Sequence, residues 1–86
     1  MIGATLTPYE GGQFYTATGE QLREEVNRWI RTSGKYDAVV DFDRAVADPA
    51  DPGRNRIRTE YDSGDYLHPN DAGYRAMAEA IDLKAL

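Results

Sequence analysis

At 86 residues the chain has room for one small domain, and a free-standing domain of this size buries only about two-thirds of its unfolded surface. Fifteen acids against ten Lys plus Arg give a formal net charge of −5. The basic residues are scattered, so the concentrated basic face that phosphate binding needs is missing and nucleic acid is not expected as a partner. No apolar run approaches the roughly 20 residues of a membrane span, and Met1-Ile2-Gly3-Ala4 lacks the charged start and apolar core of a signal peptide. The absence of cysteine leaves the redox compartment undecided, so secreted and cytoplasmic locations both stay open.

The elements follow in order. Ile2-Gly3-Ala4-Thr5-Leu6 reads as a strand (2–6) that Thr7-Pro8 turns into a surface loop rich in Gly, Thr and Tyr. Thr18-Gly19-Glu20-Gln21 fits a capping box at the start of a helix over 19–32. Leu22, Val26, Trp29 and Ile30 form one apolar stripe of that helix and are expected in the core, with Glu24 and Arg28 paired on the wet side and Gly34 as the stop. Ala38-Val39-Val40-Asp41-Phe42 is almost continuously apolar, as a strand (38–42) covered on both faces would be. Strand, helix, strand makes a βαβ unit with parallel strands.

Residues 43–69 read as a long polar loop with Asp48-Pro49 and Asp51-Pro52 as turn markers and Ile57 and Tyr61 as anchors. An ordered loop of that length in a small domain is expected to be functional or braced by other parts. A last helix (70–82) starts at Asn70 as N-cap, with Asp71 at the positive end of its dipole and Tyr74, Met77, Ala78 and Ile81 as its buried stripe.

The chemistry concentrates at the single histidine, His68. Asp65 lies three residues before it and Pro69 directly after it. A carboxylate in the same tight loop can accept from Nδ1–H, fix the tautomer and stabilise the imidazolium formed when Nε2 takes a proton. Pro69 restricts His68 to extended backbone, off the helix that follows. Asp-x-x-His alone arises often by chance, and the bland alternatives are a helix-edge histidine and an ordinary Asp turn. The longer run Gly64-Asp65-Tyr66-Leu67-His68-Pro69-Asn70-Asp71-Ala72-Gly73-Tyr74 resembles the last conserved block of the SGNH (GDSL-type) hydrolases. Val39-Val40-Asp41-Phe42-Asp43 resembles that family's final strand, and Ile2 to Pro8 the strand before it.

The resemblance implies a fragment of a three-layer α/β/α, flavodoxin-like sandwich: a βαβ unit plus a C-terminal helix, with residues 1–86 as the C-terminal third of the domain. It also implies a serine ester hydrolase acting through an acyl-serine on acyl esters, with acylated carbohydrates or lipids as substrates. Asp65 would be the triad acid and His68 the general base. No cofactor is implied. The family's Gly-Asp-Ser nucleophile block and its oxyanion glycine and asparagine blocks do not occur in these residues. Ser33 follows a helix end and Ser63 shares the loop of the base, so neither is expected to be a nucleophile. The isolated chain is therefore expected to be inactive.

Other positions have plainer readings. Asn70 is expected to cap rather than touch substrate, Gly73 to allow close approach, and Tyr66 and Leu67 to pack before they line any acyl or sugar pocket. Trp29 is expected in the core. Asp41 and Asp43 sit together, but solvation or pairing with Arg44 is expected rather than a cation, and with one His and no Cys a zinc site is not expected. The rival to an esterase is a non-catalytic small α/β module for binding or self-assembly. In the family's sheet the 2–6 strand has a further neighbour that this chain does not supply, so self-association through an exposed strand edge is expected.

Overall fold

The computed structural model describes residues 1–51, 53 and 55–81. Strand β1 (Ile2–Ala4) leads through a loop into helix α1 (Ala17–Thr32), and the chain returns as strand β2 (Ala38–Val40). The strands pair in parallel, Ile2 beside Ala38, Gly3 beside Val39 and Ala4 beside Val40. This is an α/β unit of two parallel strands and helices, and no third strand joins the sheet among the described residues.

Both strands are shorter than their apolar runs. Past Ala4, the Leu6 N–H donates to Asn27 Oδ1 at 2.7 Å and the Leu6 carbonyl accepts from Asn27 Nδ2 at 3.0 Å. A buried side-chain amide thus takes the place of a strand neighbour. Past Val40, Asp41 turns into the N-cap of a short helix, α2 (Phe42–Val46), its Oδ1 accepting from Arg44 N–H at 3.1 Å. Phe42 is therefore helical. The polar stretch from 43 to 69 is not one loop: it contains most of α2, a bridge between Ala47 and Ile57, and a 3₁₀ turn at Thr59–Tyr61. Bonds from Asp48 N–H to the Arg56 carbonyl and from Arg58 N–H to the Val46 carbonyl brace it. Val46, Ala47 and Ile57 are buried with Ile30 and Val40 to form the core.

Helix α1 begins two residues earlier than the capping box predicts, because Thr16 rather than Thr18 is the cap and accepts from Gly19 N–H at 2.9 Å. It ends before Gly34, whose φ of +71° suits glycine. Of the predicted apolar stripe only Ile30 is buried. The inward face carries Glu20, Arg23, Asn27 and Ile30, whereas Leu22, Val26 and Trp29 are 57, 42 and 51% exposed. Two residues are about 200° apart on a helix, so burying Glu20 turns Leu22 outward. Trp29 is not core; it packs edge-on against Tyr36 with ring centroids 5.9 Å apart.

Burying charged residues requires partners, and here they form a chain. Arg23 binds both oxygens of Glu20, reaches Asp43 Oδ1 at 2.6 Å and donates to the Leu6 carbonyl at 3.1 Å. Arg31 binds both Asp41 oxygens at 2.8 and 2.9 Å and Asp43 Oδ2 at 2.9 Å. Thr5 closes the network, its hydroxyl donating to Asp41 Oδ1 and accepting from Asp43 N–H. The Asp pair therefore faces guanidinium groups, chiefly those of Arg31 and Arg23, with Arg44 farther away at 3.6 Å.

The last helix, α3 (Asp71–Glu79), packs on α2 and the 3₁₀ turn. Asn70 caps it as expected, Oδ1 accepting from Gly73 N–H at 2.9 Å. Its predicted stripe is only partly used: Gly73 is buried and Met77 and Ile81 half-buried, but Tyr74 and Ala78 face solvent. The helix ends at Glu79 with Ala80 as its C-cap, short of the predicted end at 82. A Cβ at Gly73 would stand 2.6 Å from the Tyr61 carbonyl oxygen and 2.8 Å from Pro69 Cβ. Glycine here lets the helix start close against the turn that precedes the histidine loop.

Candidate active site

The loop from Asp62 to Pro69 lies between the 3₁₀ turn and α3, and its two ends are joined. Asp62 bridges Pro69, Ser63 N–H donates to the His68 carbonyl at 3.0 Å, and Asn70 N–H donates to the Tyr61 carbonyl at 2.7 Å. The Asn70 side chain also donates to the Glu60 and Asp62 carbonyls, so one residue caps α3 and ties the loop base. Asp62 Oδ1 accepts from both Gly64 and Tyr66 N–H, at 3.1 and 3.0 Å. Gly64 has φ +115° and Tyr66, unusually for a side-chain-bearing residue, +58°. Such a conformation persists only where surrounding contacts hold it. Here they include the Tyr66 ring packed below Gly11 and the Arg56 guanidinium 6.0 Å from the ring centroid.

Within this frame Asp65 and His68 meet. Asp65 Oδ2 lies 2.6 Å from His68 Nδ1. Asp65 Oδ1 accepts from the backbone N–H groups of Leu67 and His68, at 2.9 and 2.8 Å, and from the Ser63 hydroxyl at 3.1 Å. The imidazole first, then the two backbone donors, hold the Asp65 carboxyl well below the usual carboxylate range. An ionised Asp65 directs a proton to Nδ1, leaving Nε2 of the neutral ring as an acceptor. The ring is well exposed, and Nε2 makes no hydrogen bond among the described residues. The site can thus orient an imidazole through Nδ1, with Nε2 open to an incoming group.

A family model for GDSL-like lipases and acylhydrolases matches residues 1–76. The chain belongs to the GDSL-like Lipase/Acylhydrolase family. Membership puts it with proteins of the esterase and acylhydrolase type, and the small α/β unit with two parallel strands is compatible with a fragment of that fold. No curated protein matches the chain.

The two serines lie where the sequence indicates. Ser33 is the C-cap of α1, and its hydroxyl accepts from Lys35 N–H at 3.3 Å. Ser63 directs its hydroxyl to the acid, not to Nε2 of His68. The loop-shaping role of Asp62 and the positive φ of Tyr66 were not read from the sequence. Asp62-Ser63-Gly64 carries an Asx-turn signal that identifies Asp62 as the residue shaping the loop. Tyr66 had no such signal for its positive φ, and its ring meets Gly11, which is distant in the chain.

Proposed function

We propose that this chain carries the acid and base of a serine ester hydrolase of the GDSL type, with Asp65 as the acid and His68 as the general base. The observation that carries this is the 2.6 Å contact between Asp65 Oδ2 and His68 Nδ1, with no hydrogen bond to Nε2 among the described residues. In the reaction, Nε2 takes the proton of a serine hydroxyl as that oxygen attacks the ester carbonyl. It then returns the proton to the departing alcohol, while Asp65 holds the ring in register and offsets the imidazolium charge. The substrate class is acyl esters, including acylated carbohydrates or lipids. Neither Ser33 nor Ser63 is the nucleophile, so serine and oxyanion donors come from outside these 86 residues, and the chain alone does not turn over esters.

The test is imidazole ¹⁵N NMR of the purified chain at a pH where the ring is neutral. A proton on Nδ1 with Nε2 bare is the expected tautomer, and Asp65→Asn is expected to abolish the preference. A wild-type ring protonated on Nε2 would overturn the assignment. Hydrolysis of a short aryl acetate that survives Ser33→Ala with Ser63→Ala, but is lost in His68→Ala, would overturn the claim of inactivity.

A second role, compatible with the first, rests on the exposed Leu22, Val26 and Trp29 and on a two-stranded sheet whose outer edges have no partner strand among the described residues. We infer self-association through a strand edge. Sedimentation showing a monomer at all concentrations, with a cooperative melt, would refute it.

A further inference from the structure

Asp41 and Asp43 face guanidinium groups, and Asp48 and Asp51 each accept one backbone N–H in a turn. Asp62 differs from all four. It makes no ion pair among the described residues, and one of its oxygens, Oδ1, accepts from two backbone N–H groups, those of Gly64 and Tyr66. An aspartate turn is an ordinary loop device. What sets this one apart is that the two bonded N–H groups bracket Asp65.

The bracket has a geometric consequence. Gly64 and Tyr66 both have positive φ, +115° and +58°, so the backbone is left-handed on either side of Asp65. For Tyr66, which carries a Cβ, that region is disfavoured and has to be held. Within the loop the hold is the bond from its N–H to Asp62 Oδ1, at 3.0 Å. Beyond the turn, the Leu67 and His68 N–H groups point at Asp65 Oδ1, at 2.9 and 2.8 Å. That leaves Oδ2 to meet His68 Nδ1 at 2.6 Å. Asp62 is also fixed to the base of the loop, since it bridges Pro69 and its carbonyl accepts from Asn70 Nδ2 at 3.3 Å. Asp65 and His68 are exposed, whereas Asp62 is half-buried. An exposed pair has little packing around it, so its geometry depends on the hydrogen bonds beneath.

We propose that Asp62 is a positioning residue for the acid–base pair: its Oδ1, by holding the Gly64 and Tyr66 N–H groups, sets the turn that brings Asp65 onto His68. This rests on the acid–base assignment above and adds a second aspartate to it, one that acts through Asp65. The role belongs to a bonded oxygen at a fixed place and not to a negative charge.

The experiment separates those two properties by imidazole ¹⁵N NMR and an amide pH titration of the 86-residue chain. Asp62→Asn keeps the Oδ1 acceptor and drops the charge; Asp62→Glu keeps the charge and moves the oxygen out by one methylene. Asp62→Asn is expected to retain the wild-type proton on Nδ1. Asp62→Glu is expected to lower the ratio of Nδ1–H to Nε2–H roughly ten-fold, as the loss of one charge-assisted bond would. In Asp62→Glu the acid transition of the Leu67 and His68 amides also moves up toward 3.8, because Asp65 loses the imidazole and backbone donors that depress it. The amides of α1 and both strands are expected to stay at their wild-type positions, and their collapse in either variant overturns the proposal by showing a role in the fold at large. Full Nδ1 preference in both variants, loss in both, or loss in Asp62→Asn alone overturns it as well. With wild-type His68 protonated on Nδ1, each of those failures leaves the acid–base assignment standing. A wild-type ring protonated on Nε2 overturns both.

Discussion

Replacing Arg23 by Met removes the centre of the buried ion network. The methionine fills most of the aliphatic volume, but Glu20 and Asp43, 5 and 8% exposed, lose the guanidinium that offsets their burial. Removing one partner of a buried pair costs about 3–5 kcal/mol, because a desolvated charge is left behind. A chain of this length has about 4–13 kcal/mol of total stability at ~0.05–0.15 kcal/mol per residue, so the loss is a large share of it. Burial already pushes the Glu20 carboxyl up against the opposing pull of Arg23. Without Arg23 it rises further, so the folded state holds a proton that the unfolded state releases near 4.5. Stability of Arg23→Met therefore falls as pH rises above that value, and the deficit against wild type is smaller in acid. Glu20→Gln added to Arg23→Met is expected to recover part of the loss at neutral pH. The assay is urea unfolding followed by circular dichroism, comparing midpoints at constant slope. Leu22→Ser is the control, since a surface change is expected to stay within about 0.5 kcal/mol. An Arg23→Met cost below about 1 kcal/mol, or a larger cost at Leu22, would refute the assignment of the polar face as the buried one.

Asn27→Ala leaves the Leu6 N–H without its partner, and a cost of about 1–3 kcal/mol is expected in the same unfolding assay. Gly73→Ala sets a Cβ 2.6 Å from the Tyr61 carbonyl oxygen; a loss of about 1–3 kcal/mol is expected, with amide shifts at His68 and Asn70 showing that the loop base has moved. Asp65 is depressed in the folded state, so its contribution is complete above the ordinary value of 3.8 and is lost only as pH falls toward the lower folded value. The Leu67 and His68 amide shifts are therefore expected to hold through pH 3.8 and change only in stronger acid, a transition that Asp65→Asn removes.

Much of the site was legible because it is local. Asp65, His68, Pro69 and Asn70 lie within six residues, and their bonds run between near neighbours whose chemistry the spacing allows. Gly73 was legible for the same reason. The first and last helices were legible in type, with Thr16 taking the role assigned to Thr18, but the short helix Phe42–Val46 was not, because Asp41 ends a strand by capping a helix where the apolar run suggested more strand. The orientation of α1 was not legible. Its apolar stripe is real, but which face is buried depends on what the rest of the molecule offers, and here that is Asp41, Asp43 and the free backbone of Leu6.

By itself, then, the sequence determined the order of strand, helix and strand, the Asn70 cap, and the Asp65–His68 pair, the last two set by interactions within a few residues. Tertiary structure alone decided that Arg23 and Asn27 go inward and Leu22, Val26 and Trp29 outward, because a helix amphipathic in both polarity and charge has two faces it can bury. It also decided the packing of the Tyr66 ring against Gly11, since that depends on segments more than 40 residues apart in the chain meeting at the histidine loop.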